Sequence, residues 1–236
     1  METLTPKKLE MRQREAKILE VARPMIVRDG YHGFSMDRIA DQVEYSKGTL
    51  YNHFSCKEEI IIALAIQTVE VRVEMFKRAA QFKGCARFRM VAIGEAAEKF
   101  VRDYPDYFLF EQILQLPSVR QKVSEKRQNV ISNCEVQCMT VVAGVVRDAV
   151  AAEDLVLPPG FTPEKLVFGL WALTSGGFAI AASSESLTHI GLEDPFEVVS
   201  DHTSALLDGF GWKPLSSTYN KQEMIDKIRR EVFHHE

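Results

Sequence analysis

The chain has 236 residues, of which 46% are hydrophobic and 26% are charged, so it is long and apolar enough to bury a sizeable core. Its formal net charge of −4 argues by itself against a nucleic-acid partner. The charge is uneven, however: residues 1–57 hold 10 Lys and Arg against 8 Asp and Glu, whereas residues 58–236 hold 19 against 25. The small basic excess therefore lies in the N-terminal quarter of the chain.

Helical spacing of apolar residues predicts a first helix from about Leu9 to Asp29, with an inward stripe formed by Ala16, Leu19, Ala22 and Ile26. Gly30 is predicted to cap its end, and Pro24 should remove one backbone hydrogen bond and kink it. Basic residues precede or open this helix, namely Lys7, Lys8, Arg12 and Arg14. Two interpretations stay open for them, a solvated charged end and an arm that contacts DNA phosphates or the minor groove.

The next stretch, Ser35 to Lys57, contains two short predicted helices and a tight turn. Ser35 caps the first, whose apolar positions are Met36, Ile39, Ala40 and Val43. Ser46 caps the second, Lys47 to about His53, in which Leu50 and Phe54 face inward. The remaining residues of the second helix are long donors and hydroxyls, which are the groups that reach phosphates and base edges in a major groove. Gly48 lets its backbone approach a partner closely. This pattern predicts a helix-turn-helix that binds DNA.

These residues carry a family resemblance. The run from Tyr45 to Phe54, followed by Lys57 to Ile60, closely resembles the recognition segment of the tetracycline-repressor (TetR) family of transcriptional regulators. Upstream, Ile18 to Ala22, Asp29 to Tyr31 and Phe34 to Met36 are similar to the first two helices of that family. Three residues depart from the family pattern: Pro24 inside the first helix, Glu44 in place of the usual turn glycine, and Tyr45 in place of a small aliphatic residue.

The resemblance implies an all-α protein, with a three-helix DNA-binding domain (1–56) joined by a long helix to a larger helical ligand-binding and dimerisation domain (57–236). We assign Lys47 and Thr49 to base edges, and Tyr51, His53 and Lys57 to phosphates. Ser35 and Ser46 support them through caps, and Gly48 and Asn52 complete the DNA-facing set. The expected partners are a double-stranded, palindromic operator and a small effector, and the expected location is the cytoplasm because the N-terminal stretch lacks an apolar signal region.

From Lys83 onward the pattern predicts helices over 85–103, 105–116, 118–151, 163–184 and 195–210, and a last one capped by Asn220. Residues 166–184 contain no charged residue, and the length of this stretch is near that of a helix that spans a bilayer. Adjacent glycines, several hydroxyl residues and the lack of a basic flank favour a buried helix over a membrane span. By resemblance, helices 163–184 and 195–210 form the homodimer interface, and no membrane partner is expected.

Aromatic residues cluster around Pro105 and recur on later helices. They are interpreted either as ordinary core or as the wall of an apolar ligand pocket, with polar groups that orient the ligand. The candidate ligand-binding residues are Phe100, Tyr104, Tyr107, Phe108, Gln112, Met139, Phe168, Trp171 and Phe178.

The chain lacks phosphate-loop, dinucleotide, zinc-protease and nucleophile-elbow motifs, so we expect neither an enzyme nor a cofactor. Cys134 and Cys138 share a helix face but have no nearby histidine, so no metal site is expected there, and the four cysteines are predicted to be free thiols. The preferred function is a ligand-responsive repressor, released by an apolar or aromatic effector. Two alternatives stay open: a helical ligand-binding or scaffold protein that no longer recognises DNA, and a membrane-associated protein anchored by residues 166–184.

Overall fold

The computed structural model describes residues 5–183 and 187–233. Within these ranges the chain is helical and has no β-strand, which confirms the expected all-α class. The α-helices are α1 (Pro6–Gly33), α2 (Met36–Val43), α3 (Lys47–His53), α4 (Lys57–Ala80), α5 (Ala86–Asp103), α6 (Pro105–Leu114), α7 (Pro117–Arg120), α8 (Glu125–Ala151), α9 (Pro163–Ser183), α10 (Pro195–Gly209) and α11 (Lys221–Phe233).

Local capping chemistry explains where several helices begin. The side chains of Ser35, Ser46 and Asp194 each accept a hydrogen bond from a backbone amide in the first turn that follows. Asn220 accepts in the same way from the amide of Glu223, at 3.2 Å. Each cap satisfies amides that have no partner within the helix.

The first helix is longer than expected and departs from helical dihedrals at Gly30 (φ 68°, ψ 178°), whereas Pro24 keeps helical dihedrals. Its buried stripe consists of Ile18, Leu19, Ala22, Met25 and Ile26. The inward position predicted for Ala16 is wrong, because this residue is exposed. Ala16 lies beyond the edge of the core, because the first buried residue of the helix is Ile18.

The single helix predicted over 118–151 is also wrong, because α7 ends at Arg120 and α8 begins at Glu125. Side chains replace the missing helical hydrogen bonds. The Gln128 amide nitrogen donates to the carbonyls of Arg120 (3.0 Å) and Val123 (2.8 Å), and the backbone amide of Ser124 donates to the carboxylate of Glu59.

The chain divides into two compact units. The first combines the N-terminal residues up to Val69 with Asp106–Asn133. Its core includes Ile26 of α1, Ile39 of α2, Leu50 of α3 and Ile60 of α4, each with 0% exposure. The functional boundary that we place at residue 56 stays a prediction.

The second unit comprises Glu70–Pro105 and Cys134–Glu236. Within it α9 packs on α10 and α5 on α11. Gly177 permits close approach of α9 and α10, because a Cβ at this position would overlap a methyl group of Val199. The fully buried guanidinium of Arg87 pairs with Asp208 (2.8 Å) and donates to the carbonyl of Trp212 (3.0 Å).

In the described part of the chain, two helices are long and apolar enough to cross a membrane by length and composition alone, at Glu125–Ala151 and Pro163–Ala182. Core helices of soluble proteins satisfy the same criterion. In the first of these helices, Glu135, Arg147 and Asp148 interrupt the apolar sequence. Such charged residues are costly at the centre of a bilayer.

Candidate nucleic-acid interface

A left-handed residue sets the angle between α2 and α3. Glu44, which caps α2, has φ 59° and ψ 35°. The amide of Tyr45 donates to the carbonyl of Ala40 at 3.0 Å, which closes the helix end. The turn therefore has the geometry that glycine adopts most easily, although glutamate occupies it here.

Two buried side chains fix the short helix α3 from beneath, since Leu50 is 0% exposed and Phe54 is 1% exposed. At its start, the Ser46 hydroxyl oxygen accepts from the amide of Thr49 (3.1 Å) and lies 2.8 Å from the Thr49 hydroxyl. A Cβ at Gly48 would meet only the Ser46 hydroxyl, at 3.9 Å. The space in front of Gly48 is therefore open, which leaves room for a partner to approach the backbone.

Lys47, Tyr51 and Asn52 are exposed on α3, as their assignment to DNA requires. The Lys47 ammonium lies 2.8 Å from the carboxylate of Asp37 on α2, and both side chains are more than half exposed. This hydrogen bond and the charge of Asp37 raise the pKa of Lys47. Asp37 thus holds the extended lysine on the exposed face of the motif.

Three further predicted DNA contacts have partners or burial within the protein. The His53 side chain is only 9% exposed, and its Nδ1 atom lies 3.8 Å from the Glu15 carboxylate. Ser35 caps α2 through the amide of Arg38. The Lys57 ammonium donates to the carbonyls of Tyr31 (2.7 Å) and Phe34 (3.3 Å) and lies 4.2 Å from the centre of the Tyr31 ring. In this conformation Lys57 stabilises the loop between α1 and α2.

The first turn of α4 holds a nearly buried carboxylate. Glu58 accepts hydrogen bonds from the Tyr31 hydroxyl (2.6 Å) and from the ammonium of Lys122 (3.0 Å), and its side chain is 4% exposed. Burial alone would raise its pKa, but these hydrogen bonds outweigh burial and lower the pKa to about 2. Glu58 therefore stays ionised and joins α1 to the segment that precedes α8.

The neighbouring carboxylate makes a parallel connection. Glu59 pairs with Arg127 at 2.7 Å and accepts from the Ser124 amide at the start of α8. The Arg127 guanidinium in turn lies 4.9 Å from the ring centre of Phe54, the residue that follows α3. We call the set of Lys57, Glu58 and Glu59 with Tyr31, Lys122 and Arg127 the α4 clamp. Of the residues in the α4 clamp, only Lys57 was singled out from the sequence. The contacts of the clamp could not be recognised, because each joins residues that are 26 to 68 positions apart in the sequence.

The predicted ligand-binding residues fall into separate places. Phe100 is 1% exposed and its ring centre lies 5.8 Å from that of Tyr104. Phe178 lines a cavity of about 40 Å³ within the second unit. That volume suits a few water molecules, whereas drug-sized ligands occupy roughly 300–1,000 Å³. Phe108 is buried in the first unit, Gln112 and Met139 are half-buried, and the side chain of Tyr107 lies outside the described residues.

Phe168 and Trp171 are exposed by 60% and 49% on α9, and Ile180 on the same helix by 57%. The two aromatic side chains therefore do not line the cavity of the second unit; their ring centres lie 6.0 Å apart at its surface. Exposed apolar side chains concentrated on one helix are typical of an interaction surface.

Among the described residues no group of three or more His, Cys, Asp or Glu side chains could hold a metal ion.

The helix-turn-helix geometry agrees with comparisons to known proteins. Residues 18–64 match the family model described as bacterial regulatory proteins, tetR family. The chain belongs to the TetR family. The match covers α1 from Ile18 onward, α2, α3 and the first turns of α4, so it includes all nine predicted DNA contacts of this TetR-family chain.

Curated relatives extend the comparison. The chain is 35% identical over 89 residues to the transcriptional activator FasR of Mycolicibacterium smegmatis, an alignment that covers 38% of this chain and 41% of FasR. It is 39% identical over 56 residues to the transcriptional repressor AcnR of Corynebacterium diphtheriae, covering 24% of this chain and 30% of AcnR. The chain thus aligns with less than half the length of these relatives. Their names are those of regulators rather than enzymes.

Over most of its length, the fold of this TetR-family chain is similar to that of a solved tetR-family regulatory protein from Rhodococcus RHA1. The TM-score is 0.65 at 19% sequence identity, with 84% of this chain and 97% of the other covered.

Proposed function

We propose that this TetR-family chain is a transcriptional repressor that binds a palindromic operator and is released by a small effector. The exposed polar face of α3 is the observation that carries the proposal. Lys47, Tyr51 and Asn52 project from a helix that Leu50 and Phe54 anchor in the core. A helix held in this way can enter a major groove without unfolding.

Within that proposal, Lys47 and Thr49 contact base edges, while Tyr51, His53 and Lys57 contact phosphates. Ser35 and Ser46 act through their caps, and Gly48 and Asn52 complete the surface. Since His53 and Lys57 already have neighbours within the protein, their contacts require the side chains to turn away from Glu15 and from the Tyr31 carbonyl.

The operator-binding form is proposed to be a homodimer through helices 163–184 and 195–210, of which Ser184 lies outside the described residues. Support comes from the exposed apolar side chains of α9, Phe168, Trp171 and Ile180, next to the small residues Ala172 and Gly176. Two recognition helices related by a two-fold axis read half-sites about 34 Å apart.

Effector response is proposed to act through α4. This helix begins in the first unit, at the α4 clamp, and its residues from Glu70 onward belong to the second unit. An effector that prefers a conformation with a displaced α4 would weaken operator binding by shifting the population of DNA-binding dimers. The aromatic composition of the second unit supports an apolar or aromatic effector, and the proposed location is the cytoplasm.

Selection of bound fragments from genomic DNA tests the function. We expect recovery of a palindromic sequence, bound by a dimer and silenced in a reporter assay. A failure to enrich any sequence would favour the alternative of a helical ligand-binding or scaffold protein. Because one curated relative is named an activator and another a repressor, the reporter also decides the direction of regulation.

Lys47→Ala and Lys57→Ala test the roles of single residues. Loss of the Lys47 contact should relax sequence preference at one position by about 1–3 kcal/mol. Loss of Lys57 should weaken binding to all sequences and lower the salt slope by about one. Equal effects of both variants on operator and random DNA would contradict these roles.

A further inference from the structure

The first three turns of α1 lie outside the protein core. Residues 6–17, all of which are described, contain no buried side chain; the first buried residue of the helix is Ile18. We call residues 6–17 the basic segment, because it holds five Lys and Arg against two Glu. Twelve helical residues span about 18 Å, so this segment is long enough to reach well past the core.

Most of its positive charge is not neutralised within the described part of the chain. Arg14 pairs with Glu10 at 2.5 Å, and Lys17 donates to the carbonyl of Val43 at 3.4 Å. Lys7, Lys8 and Arg12 are exposed and have no ion-pair partner among the described residues. The segment therefore presents three uncompensated cations to its surroundings.

These cations lie on the face of α1 that points toward the helix-turn-helix. Steps of three and four residues keep side chains on one helix face, and such steps connect Lys8, Arg12 and Glu15 to the buried Leu19 and Ala22. The same spacing relates Lys7 to the buried Ile18 and Met25 through Met11.

A contact within the first unit fixes the direction of this face. Glu15 lies 3.8 Å from His53 at the end of α3. Lys8 follows about 10 Å beyond Glu15 along the same face. The cations thus continue the surface that carries the recognition helix.

We propose that the basic segment is a second DNA-contacting surface, in which Lys7, Lys8 and Arg12 bind phosphates that flank the sequence read by α3. The partner is a polyanion with closely spaced charges, and duplex DNA presents one charge per about 1.7 Å of helix axis. This inference rests on the proposed function, because it extends the same interface. It enlarges the bound site without adding sequence preference.

An anionic membrane surface would also attract lysine and arginine, but such helices insert an apolar face. The large apolar side chains of the basic segment, Leu9 and Met11, are half exposed. They lie on nearly opposite sides of the helix, about 160° apart. The segment therefore lacks the continuous apolar face that membrane insertion requires.

The test compares two DNA duplexes, one limited to the genomic operator and one lengthened by about one helical turn of flanking DNA on each side. The variant changes Lys7, Lys8 and Arg12 to Gln in the full-length protein. A matched control changes the exposed Lys83, Lys213 and Arg230 of the second unit to Gln, which alters the net charge equally.

We expect the wild type and the control to bind the longer duplex more tightly than the shorter one. The variant should bind both duplexes equally, and its salt slope on the longer duplex should be smaller by up to about three per protomer. Unchanged circular dichroism would verify folding of the variant.

Equal preference for the longer duplex in the variant and the wild type would overturn the inference. Binding of the wild type, but not of the variant, to phosphatidylglycerol vesicles, with DNA affinity unaffected, would overturn it in favour of a membrane role. If the wild type binds no genomic fragment, the proposed function itself fails. The two failures are therefore distinguishable.

Discussion

Replacement of Glu58 by glutamine tests the energetic weight of the α4 clamp. The substitution keeps the size of the side chain and removes its charge. In the native protein the Glu58 carboxylate is nearly buried and binds both Tyr31 and Lys122. Both donors bind the same oxygen of Glu58, and an amide oxygen can still accept from both, but as a neutral acceptor it binds the Lys122 ammonium more weakly. The N–H groups of the amide would also be nearly buried.

The pKa of Glu58 gives the expected magnitude. Its folded-state value of about 2 lies below the ordinary value of 4.5, and each pKa unit corresponds to about 1.4 kcal/mol. The ionised carboxylate therefore contributes about 3 kcal/mol to the free energy of unfolding above pH 4.5. Because the folded-state pKa is the lower one, this contribution is lost as the pH falls from about 4.5 to 2.

Urea unfolding of full-length Glu58→Gln at pH 7 and pH 3, followed by circular dichroism, measures the effect. We expect a loss of about 3 kcal/mol at pH 7 and of about 1.4 kcal/mol at pH 3, because pH 3 lies between the folded-state and unfolded-state pKa values. At pH 7 the melting temperature should fall by roughly 5–10 °C.

Two control variants separate the effect of the buried charge of Glu58 from that of its hydrogen bond with Tyr31 and from that of a Glu-to-Gln change at an exposed site. Tyr31→Phe removes one hydrogen bond to the carboxylate and should cost about 1 kcal/mol. Glu74→Gln makes the same chemical change at a side chain that is 73% exposed, so its effect should stay within about 0.5 kcal/mol. Equal stability of Glu58→Gln and wild type at pH 7, or an equal deficit at both pH values, would refute the reasoning.

Three further substitutions test other parts of the chain. Glu44→Gly should stabilise the protein by about 1 kcal/mol in thermal unfolding, because glycine adopts the left-handed conformation without steric cost; a lower melting temperature would contradict this. Phe168→Glu should convert the dimer to a monomer in light scattering, whereas Val136→Glu, at a similarly exposed site on α8, should not; a dimeric Phe168→Glu would remove the proposed interface. Gly177→Ala should cost about 1–3 kcal/mol by forcing α9 and α10 apart, whereas Gly169→Ala, which meets no neighbour within 4 Å, should be neutral or stabilising in the same unfolding assay.

The helix-turn-helix could be predicted because its signals are local. Ser35 and Ser46 cap helices through amides three residues away, and Ile39 and Leu50 mark their buried faces within a few positions. The turn was harder, because Glu44 has no intrinsic preference for the left-handed region. Its conformation follows from the packing of α2 and α3 on α1.

Long-range polar contacts could not be predicted in the same way. The break between α7 and α8 depends on Glu59, which is 65 positions from the amide of Ser124 that it binds. The apolar sequence of α9 was also ambiguous, since aromatic residues at helical spacing suit a core, a ligand pocket or an interface equally. The exposure of Phe168 and Trp171 distinguishes these cases, and exposure is a property of the tertiary structure.

The two carboxylates of the α4 clamp explain why the first unit includes residues 106–133. Glu58 and Glu59 are nearly buried, and a buried carboxylate without a partner costs several kcal/mol. Their partners Lys122 and Arg127 must therefore stay in place whenever α4 begins at Lys57. Since Arg127 also stacks on Phe54, a displacement at the start of α8 has to break the ion pair with Glu59 or carry the end of α3 with it. The position of α3 thus depends in part on charges outside the helix-turn-helix. In the proposed regulator these charges would give an effector a route to DNA affinity that does not require unfolding of α3.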